Sequence, residues 1–171
     1  MAKKKGVYSI HIDKDAIEYY IVQDMAKDCE RLVYGAIHSA TFTSQTGNLV
    51  DSYGAAVYKD GVFVENTLFT APTQATVSNK WYGEYKYGKD EMIKYFRDFR
   101  PRTKGFTIVL VAAMPYAEVL EKGSAGLHHK YKVISGAYSL LQDLSEEYRG
   151  KRGYKKYKWG RGVRVSVSKI D

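Results

Sequence analysis

The apolar side chains that follow Asp13 recur at intervals of three and four residues. Such spacing places them on one face of a helix, and the Asp13 carboxylate can cap the start of that helix. We therefore predict a helix from Lys14 to about His38, in which Cys29 behaves as a buried, small apolar residue. The positions on the apolar face are Ile17, Ile21, Met25, Cys29, Leu32, Val33 and Ala36.

Short apolar runs and apolar–polar alternation indicate the strands. Asp60 and Gly61 separate two β-branched runs in AAVYKDGVFVENTLF, and both residues tolerate the positive φ that a tight hairpin needs. The run GFTIVLVAAM predicts a central strand, and residues 163–167 alternate as in a half-buried strand. The longest apolar run, residues 108–115, is too short to span a bilayer, so no membrane partner is expected.

Four further segments have helical spacing. Thr46 can cap a short helix in GNLVDSY, and KDEMIKYFRDF forms a helix up to the break at Pro101. YAEVLEKG predicts a short helix ended by Gly123, and HHKYKVISGAYSLLQDLSEEYRG predicts a second long helix ended by Gly150. The order of elements predicts one α+β domain over residues 1–171. In it, the long N-terminal helix and the C-terminal helix pack on a small antiparallel or mixed sheet.

Residues 70–104 form a Tyr-rich excursion from this domain. Its first part, TAPTQATVSNKWYGEYKYGKD, contains turn residues and tyrosines without a clear period, and we interpret that part as a long loop. Loops of this length are often exposed functional elements. Trp81, Tyr82 and Tyr85 are candidate partner-binding residues, because large aromatics in polar surroundings anchor interfaces well.

The net charge of +8 is confined to the C-terminal end of the chain. Before Arg149 there are eighteen Lys/Arg and eighteen Asp/Glu, whereas from Arg149 onwards there are nine Lys/Arg and one acid. Residues 149–171 are thus a basic elaboration that ends in a predicted strand. Such a localised basic segment predicts an acidic partner, either nucleic acid or an acidic protein surface.

Aromatic and basic residues are interleaved in this segment, and three interpretations remain open. Cations that bind phosphate beside aromatics that stack on bases would suit a nucleic acid. Lysines along an edge strand would discourage aggregation, and Tyr, Trp and Arg are enriched in protein interfaces. The candidate partner-binding residues here are Tyr154, Lys155, Lys156, Tyr157, Lys158, Trp159 and Arg161.

The sequence offers little for catalysis or metal binding. It has no HxxxH, CxxC, HExxH, GxGxxG or P-loop spacing, and adjacent histidines on a helix would point about 100° apart. Glu118 and Glu121 share a helix face, but no nucleophile accompanies them. We therefore expect a protein that is not an enzyme and uses no cofactor or metal. A hydrolase built on Glu118, Glu121 or His128 is the enzymatic alternative.

Two short motifs are similar to a family of phage proteins. A Thr-Gly-x-Leu-x-x-Ser turn follows the first helix, and a Tyr-Ala-x-x-Leu-Glu-x-Gly turn follows the central strand. With the order of elements, they resemble the tail-completion or minor tail (head–tail connector) family of tailed bacteriophages. The residues that carry the resemblance are Thr46, Gly47, Leu49, Ser52, Tyr116, Ala117, Leu120, Glu121 and Gly123.

The resemblance implies that the motif residues are structural. Gly47 and Gly123 would allow tight turns, Tyr116 and Ala117 would pack the short helix on the sheet, and Glu121 would cap or pair locally. Members of such families assemble as rings, so a homo-oligomer of six or twelve copies is implied. It would contact portal, neck or tail proteins and lie at the neck or tail end of the virion, after assembly in the host cytoplasm.

Two elements depart from the family pattern, namely the Tyr-rich excursion of residues 70–104 and the basic segment of residues 149–171. We predict that they are the partner-contacting elements and that the rest of the domain is their platform. The alternative function is that of a small basic nucleic-acid-binding protein that uses the C-terminal segment. Non-specific DNA contact is compatible with both functions.

Overall fold

The computed structural model of the chain describes residues 13–81, 83–123, 126–127, 129–149 and 164–167. It describes only the main chain at Lys14, Trp81, Tyr148, Arg149 and residues 164–167. The predicted α+β class is confirmed. The helices are α1 (Lys14–Ser39), α2 (Asn48–Asp51), α3 (Gly88–Asp98), α4 (Ala117–Lys122) and α5 (Tyr138–Arg149).

The main sheet is built around two long antiparallel strands. β1 and β6 pair along their whole lengths, from Tyr53 opposite Ala112 to Lys59 opposite Phe106. β2 and β3 pair with β1 on its other side, and β7 lies parallel to β6. A separate two-stranded hairpin is formed by β4 and β5. The strands are β1 (Tyr53–Lys59), β2 (Val62–Phe63), β3 (Phe69–Thr70), β4 (Asn79–Trp81), β5 (Glu84–Lys86), β6 (Phe106–Ala112) and β7 (Arg164–Val167).

Helix α1 forms where the periodicity predicts it. Asp13 Oδ1 accepts hydrogen bonds from the main-chain N–H groups of Asp15 and Ala16, both at 3.1 Å, so the expected N-cap is present. The apolar face from Met25 to Ala36 is buried against the sheet. Sequence periodicity and one capping residue therefore determine this element.

The two faces of the sheet bury different cores. Ile108 and Leu110 of β6 face α1 and α5, whereas Val109 and Val111 face α3, as the two-residue period of a strand requires. The second core contains Met92 and Phe96 of α3. The described chain is thus layered as helices, sheet and helix, with α3 on the face opposite to α1 and α5.

The Asp60-Gly61 hairpin is confirmed, since φ is 52° at Asp60 and 81° at Gly61 between β1 and β2. The β7 strand is confirmed for Arg164–Val167. The expected half-burial concerns its side chains, which lie outside the described part of the chain. The long-loop interpretation needs correction. Among the described residues of the predicted loop, 71–78 form one irregular stretch, which is followed by the β4–β5 hairpin and then by α3.

The second long helix is shorter than predicted. A short 3-10 turn, Ser135–Ala137, precedes α5, and the preceding residues are not helical. Their main chain is bonded elsewhere: Tyr131 N–H donates to the Leu120 carbonyl (2.9 Å) and Lys132 N–H donates to Thr41 Oγ1 (2.8 Å). These tertiary bonds compete with the helical pairing that the apolar spacing predicts.

No helix in the described part of the chain is both long and apolar enough to cross a membrane.

Cys29 provides a test of this packing, because it is the chain's single cysteine and is fully buried in the first core. Burial, assisted by the nearby Asp28 charge, raises the pKa of its thiol well above the ordinary value. We expect the native chain to react with a disulfide reagent at pH 8 on the order of a hundredfold more slowly than the urea-unfolded chain. Equal rates in the two states would contradict the packing of α1.

Candidate functional site

The two motifs that lie far apart in sequence line one surface cleft. The cleft has a volume of about 480 Å³ and lies between the segment that joins α1 to α2 and the start of α4. None of the described residues in its lining carries a charged side chain. The motif residues in its lining are Thr46, Leu49, Tyr116 and Leu120.

The first motif turn depends on Gly47. This residue has a φ of 78° and stands at the N-cap position of α2, where a Cβ would lie 2.6 Å from the main chain of Gln74 and Ala75. Both the backbone conformation and the close approach require glycine. The predicted capping by Thr46 is therefore wrong, because its Oγ1 instead accepts a hydrogen bond from the Asn48 side chain (3.3 Å).

Asn48 joins α2 to both ends of the β4–β5 hairpin. Its side chain is fully buried; Nδ2 donates to the Val77 carbonyl, and Oδ1 accepts from the Gly88 N–H (2.9 Å). Gly88 approaches so closely that a Cβ there would lie 1.9 Å from the Asn48 carbonyl oxygen. The amide therefore fixes the chain where it enters and leaves the hairpin.

Asp51 provides a second connection from α2 to the excursion. Its carboxylate is buried, with Oδ1 accepting from the Gln74 N–H (2.7 Å) and Oδ2 from the Ala75 N–H (2.9 Å). Buried polar groups need such partners. Sequence analysis missed both Asn48 and Asp51. Their trace in the sequence is that two polar residues flank Leu49 and Val50 in a short helix. That pattern ordinarily indicates a helix face exposed to solvent.

The second motif turn also serves as a scaffold. Ala117 is buried, Gly123 has a φ of 79°, and the Tyr116 hydroxyl accepts a hydrogen bond from Asn79 Nδ2 (2.8 Å). This bond joins the motif to the base of β4. Glu121 Oε2 accepts from two successive main-chain N–H groups, at 2.6 Å and 2.8 Å, in residues 133–134. These bonds join residues 12 and 13 positions apart, so Glu121 makes a tertiary contact and not the local cap or pair expected of it.

The structure separates the two carboxylates considered for catalysis. Glu118 forms an ion pair with Lys122 on α4, whereas Glu121 binds main chain in front of α5. His129 is exposed, and His128 lies outside the described residues. Within the described ranges, no group of three or more His, Cys, Asp or Glu side chains could hold a metal ion.

The predicted partner-binding residues fall into two groups. Trp81 and Tyr85 lie on the same hairpin, where the Tyr85 side chain is 70% exposed and Lys80 Nζ lies 5.8 Å from its ring centroid. Val77 and Tyr87, which flank the hairpin, are 53% and 45% exposed. The others lie outside the described residues and are Tyr82, Tyr154, Lys155, Lys156, Tyr157, Lys158, Trp159 and Arg161.

Comparison with family models, with curated proteins and with solved structures gave no match to this chain. Its function is therefore inferred from its own residues and geometry.

Replacing Asn48 tests whether α2 holds the hairpin. Asn48→Ala leaves the Val77 carbonyl and the Gly88 N–H without their buried partner, which costs about 1–3 kcal/mol. We expect faster amide hydrogen exchange around Val77 and Gly88, while α1 and β6 stay protected. Asn66→Ala, at an exposed position, is the matched control. Unchanged exchange around the hairpin in Asn48→Ala would show that the amide is not what holds it.

Proposed function

We propose that this chain is a structural virion protein of a tailed phage, located at the neck or tail end and assembled as a ring with cyclic symmetry. The observation that carries the proposal is the convergence of the two resembling motifs on one cleft. Along these two segments, Glu121 of the second motif and Asn48 and Asp51, at unspecified positions of the first, all bind main-chain groups. The motif residues thus act as scaffold, as the resemblance implies.

The excursion supports an interface role for this scaffold. Val77, Tyr85 and Tyr87 expose apolar surface on or beside one hairpin, and the base of that hairpin is fixed by Asn48 and Tyr116. An aromatic element that is already ordered loses little entropy when it binds. Partners consistent with the proposal are further copies of this chain and portal, neck or tail proteins.

The charge distribution supports a second candidate, a small basic nucleic-acid-binding protein. Nine Lys/Arg and one acid lie from Arg149 onwards, interleaved with aromatics that can stack on bases. This function would place the partner-binding residues on a DNA or RNA backbone instead of on a protein surface. A ring that surrounds DNA would combine the two functions.

Sedimentation of the purified chain tests the ring. We expect a single species of six or twelve copies, alone or after addition of phage particles that lack the chain. Replacing both Tyr157 and Trp159 with Ala should lower the assembled fraction and leave the circular dichroism spectrum unchanged, because interface aromatics contribute most of the binding energy. A wild-type chain that stays monomeric in both settings and is absent from virions would contradict the proposal.

Salt dependence separates the two candidates. Neutralisation of several phosphates makes DNA affinity fall by roughly a thousandfold or more between 50 and 200 mM salt. We expect duplex DNA of unrelated sequence to bind the wild-type ring weakly, and the Lys155→Gln/Lys156→Gln/Lys158→Gln variant to bind it more weakly still. Tight binding that collapses with salt, together with a monomeric chain, would favour the nucleic-acid function.

A further inference from the structure

A second cleft, of about 430 Å³, lies beside α3 on the face of the sheet opposite to α1 and α5. We refer to it as the α3 cleft. It runs along α3 from Glu91, in the first turn, and reaches the segment that follows β6. The residues that line it are Glu91, Lys94, Tyr95, Asp98, Phe99, Ala113 and Pro115.

The lining of the α3 cleft combines aromatic surface with carboxylates. The rings of Tyr95 and Phe99 are stacked, with centroids 5.1 Å apart and an interplanar angle of 16°. Glu91 and Asp98 are seven residues apart on the helix, so their main-chain positions are about 10 Å apart along its axis. Carboxylates beside aromatic faces suit Lys and Arg side chains through charge-assisted hydrogen bonds and cation–π contact.

Cations also lie close to the α3 cleft, including Arg100, whose Nη1 donates to the Phe99 carbonyl (2.7 Å). Among the described lining residues, Lys94 is the cation and Glu91 and Asp98 are the carboxylates. Glu91 Oε2 also lies 3.6 Å from Lys86 Nζ at the base of the hairpin, whereas Asp98 is exposed. Asp98 thus presents a carboxylate beside the Tyr95 and Phe99 rings, and a basic and aromatic ligand matches both properties.

The rest of the chain contains one segment with this composition. Residues 13–149 carry sixteen Lys/Arg and eighteen Asp/Glu, whereas residues 150–171 carry eight Lys/Arg and one acid. Residues 13–149 are thus slightly acidic and residues 150–171 strongly basic. Opposite charges on the two parts steer one copy toward another.

We propose that the α3 cleft binds residues 154–161 of a neighbouring copy. The contact would join different surfaces of the two copies, and such a head-to-tail contact generates a ring when its rotation closes. This inference rests on the ring assembly proposed above. It assigns the basic segment a protein partner, namely the α3 cleft on a second copy of this chain.

The positions of the flanking elements favour a neighbouring copy over the same chain. The basic segment follows α5, which packs on one face of the sheet, and precedes β7, which begins opposite Thr107. The α3 cleft lies on the other face and reaches Pro115, beyond the far end of β6. Within one chain, the segment would have to cross the sheet edge and run back along α3.

Charge reversal tests the contact. The cleft variant is Glu91→Lys/Asp98→Lys and the segment variant is Lys155→Glu/Lys158→Glu. We expect each to lose assembly in sedimentation, with an apparent affinity at least about tenfold weaker, because like charges face each other. An equimolar mixture should regain rings with an even number of copies, since alternating subunits restore opposite charges at every contact.

The control variant is Glu65→Lys/Asp90→Lys, which changes the net charge by the same amount at two exposed residues outside the α3 cleft. It should assemble like the wild type. Circular dichroism of every variant verifies that the fold persists. Assembly lost equally in the control and in the cleft variant would overturn the inference by assigning the effect to net charge.

The remaining outcomes separate this inference from the ring itself. If the wild type and the cleft variant both form rings, the inference is overturned but the ring proposal is not. A chain that carries all four substitutions could form rings when the mixture of the two variants does not. The contact would then be intramolecular, and the inference would again be overturned. A monomeric wild type would defeat the ring proposal instead.

Binding of a fluorescent peptide of residues 150–163 measures the α3 cleft without requiring assembly. Its anisotropy should show at least about tenfold weaker binding to the cleft variant than to the wild-type full chain. Equal affinity for the two would overturn the inference even for a monomeric chain. If the segment variant then also failed to bind duplex DNA that the wild type binds, the segment would be assigned to nucleic acid.

Discussion

The arrangement of this protein depends on a buried amide and a buried carboxylate in a helix of only four residues. Asn48 and Asp51 have almost no contact with solvent, and a buried polar group without a partner costs about 1–3 kcal/mol. Their partners are main-chain groups of the excursion. The hydrogen bonds that satisfy the buried side chains of Asn48 and Asp51 therefore also fix the excursion in place.

This constraint relates the two motifs to each other. Gly47 lets the chain pass within contact distance of Gln74, and the Asn79 side chain continues the connection to Tyr116. Glu121 then holds the segment in front of α5. One polar network thus runs from the first motif through the hairpin to the second. These polar side chains hold the main chain of the two motif segments and the hairpin in place, in agreement with the scaffold role proposed for the chain.

Sequence patterns predicted the elements whose determinants are local. The Asp13 cap, the apolar face of α1 and the Asp60-Gly61 turn each require only residues within one element. The start of α5 was mispredicted because Glu121 and Thr41, both distant in sequence, bind the main chain in front of it. The β4–β5 hairpin was missed because its residues lack a regular apolar alternation and its base is fixed by Asn48. Composition singled out Trp81 and Tyr85 as candidates, whereas no sequence pattern pointed to the buried polar residues that hold their hairpin.

The proposed place of the chain in a virion can be measured most directly by electron microscopy of tailed-phage particles assembled with a gold-labelled copy of the chain. The account predicts label at one end of the tail or at the junction of head and tail, with ring-shaped views of the isolated chain. Particles without label, or with label spread over the head surface, would contradict it.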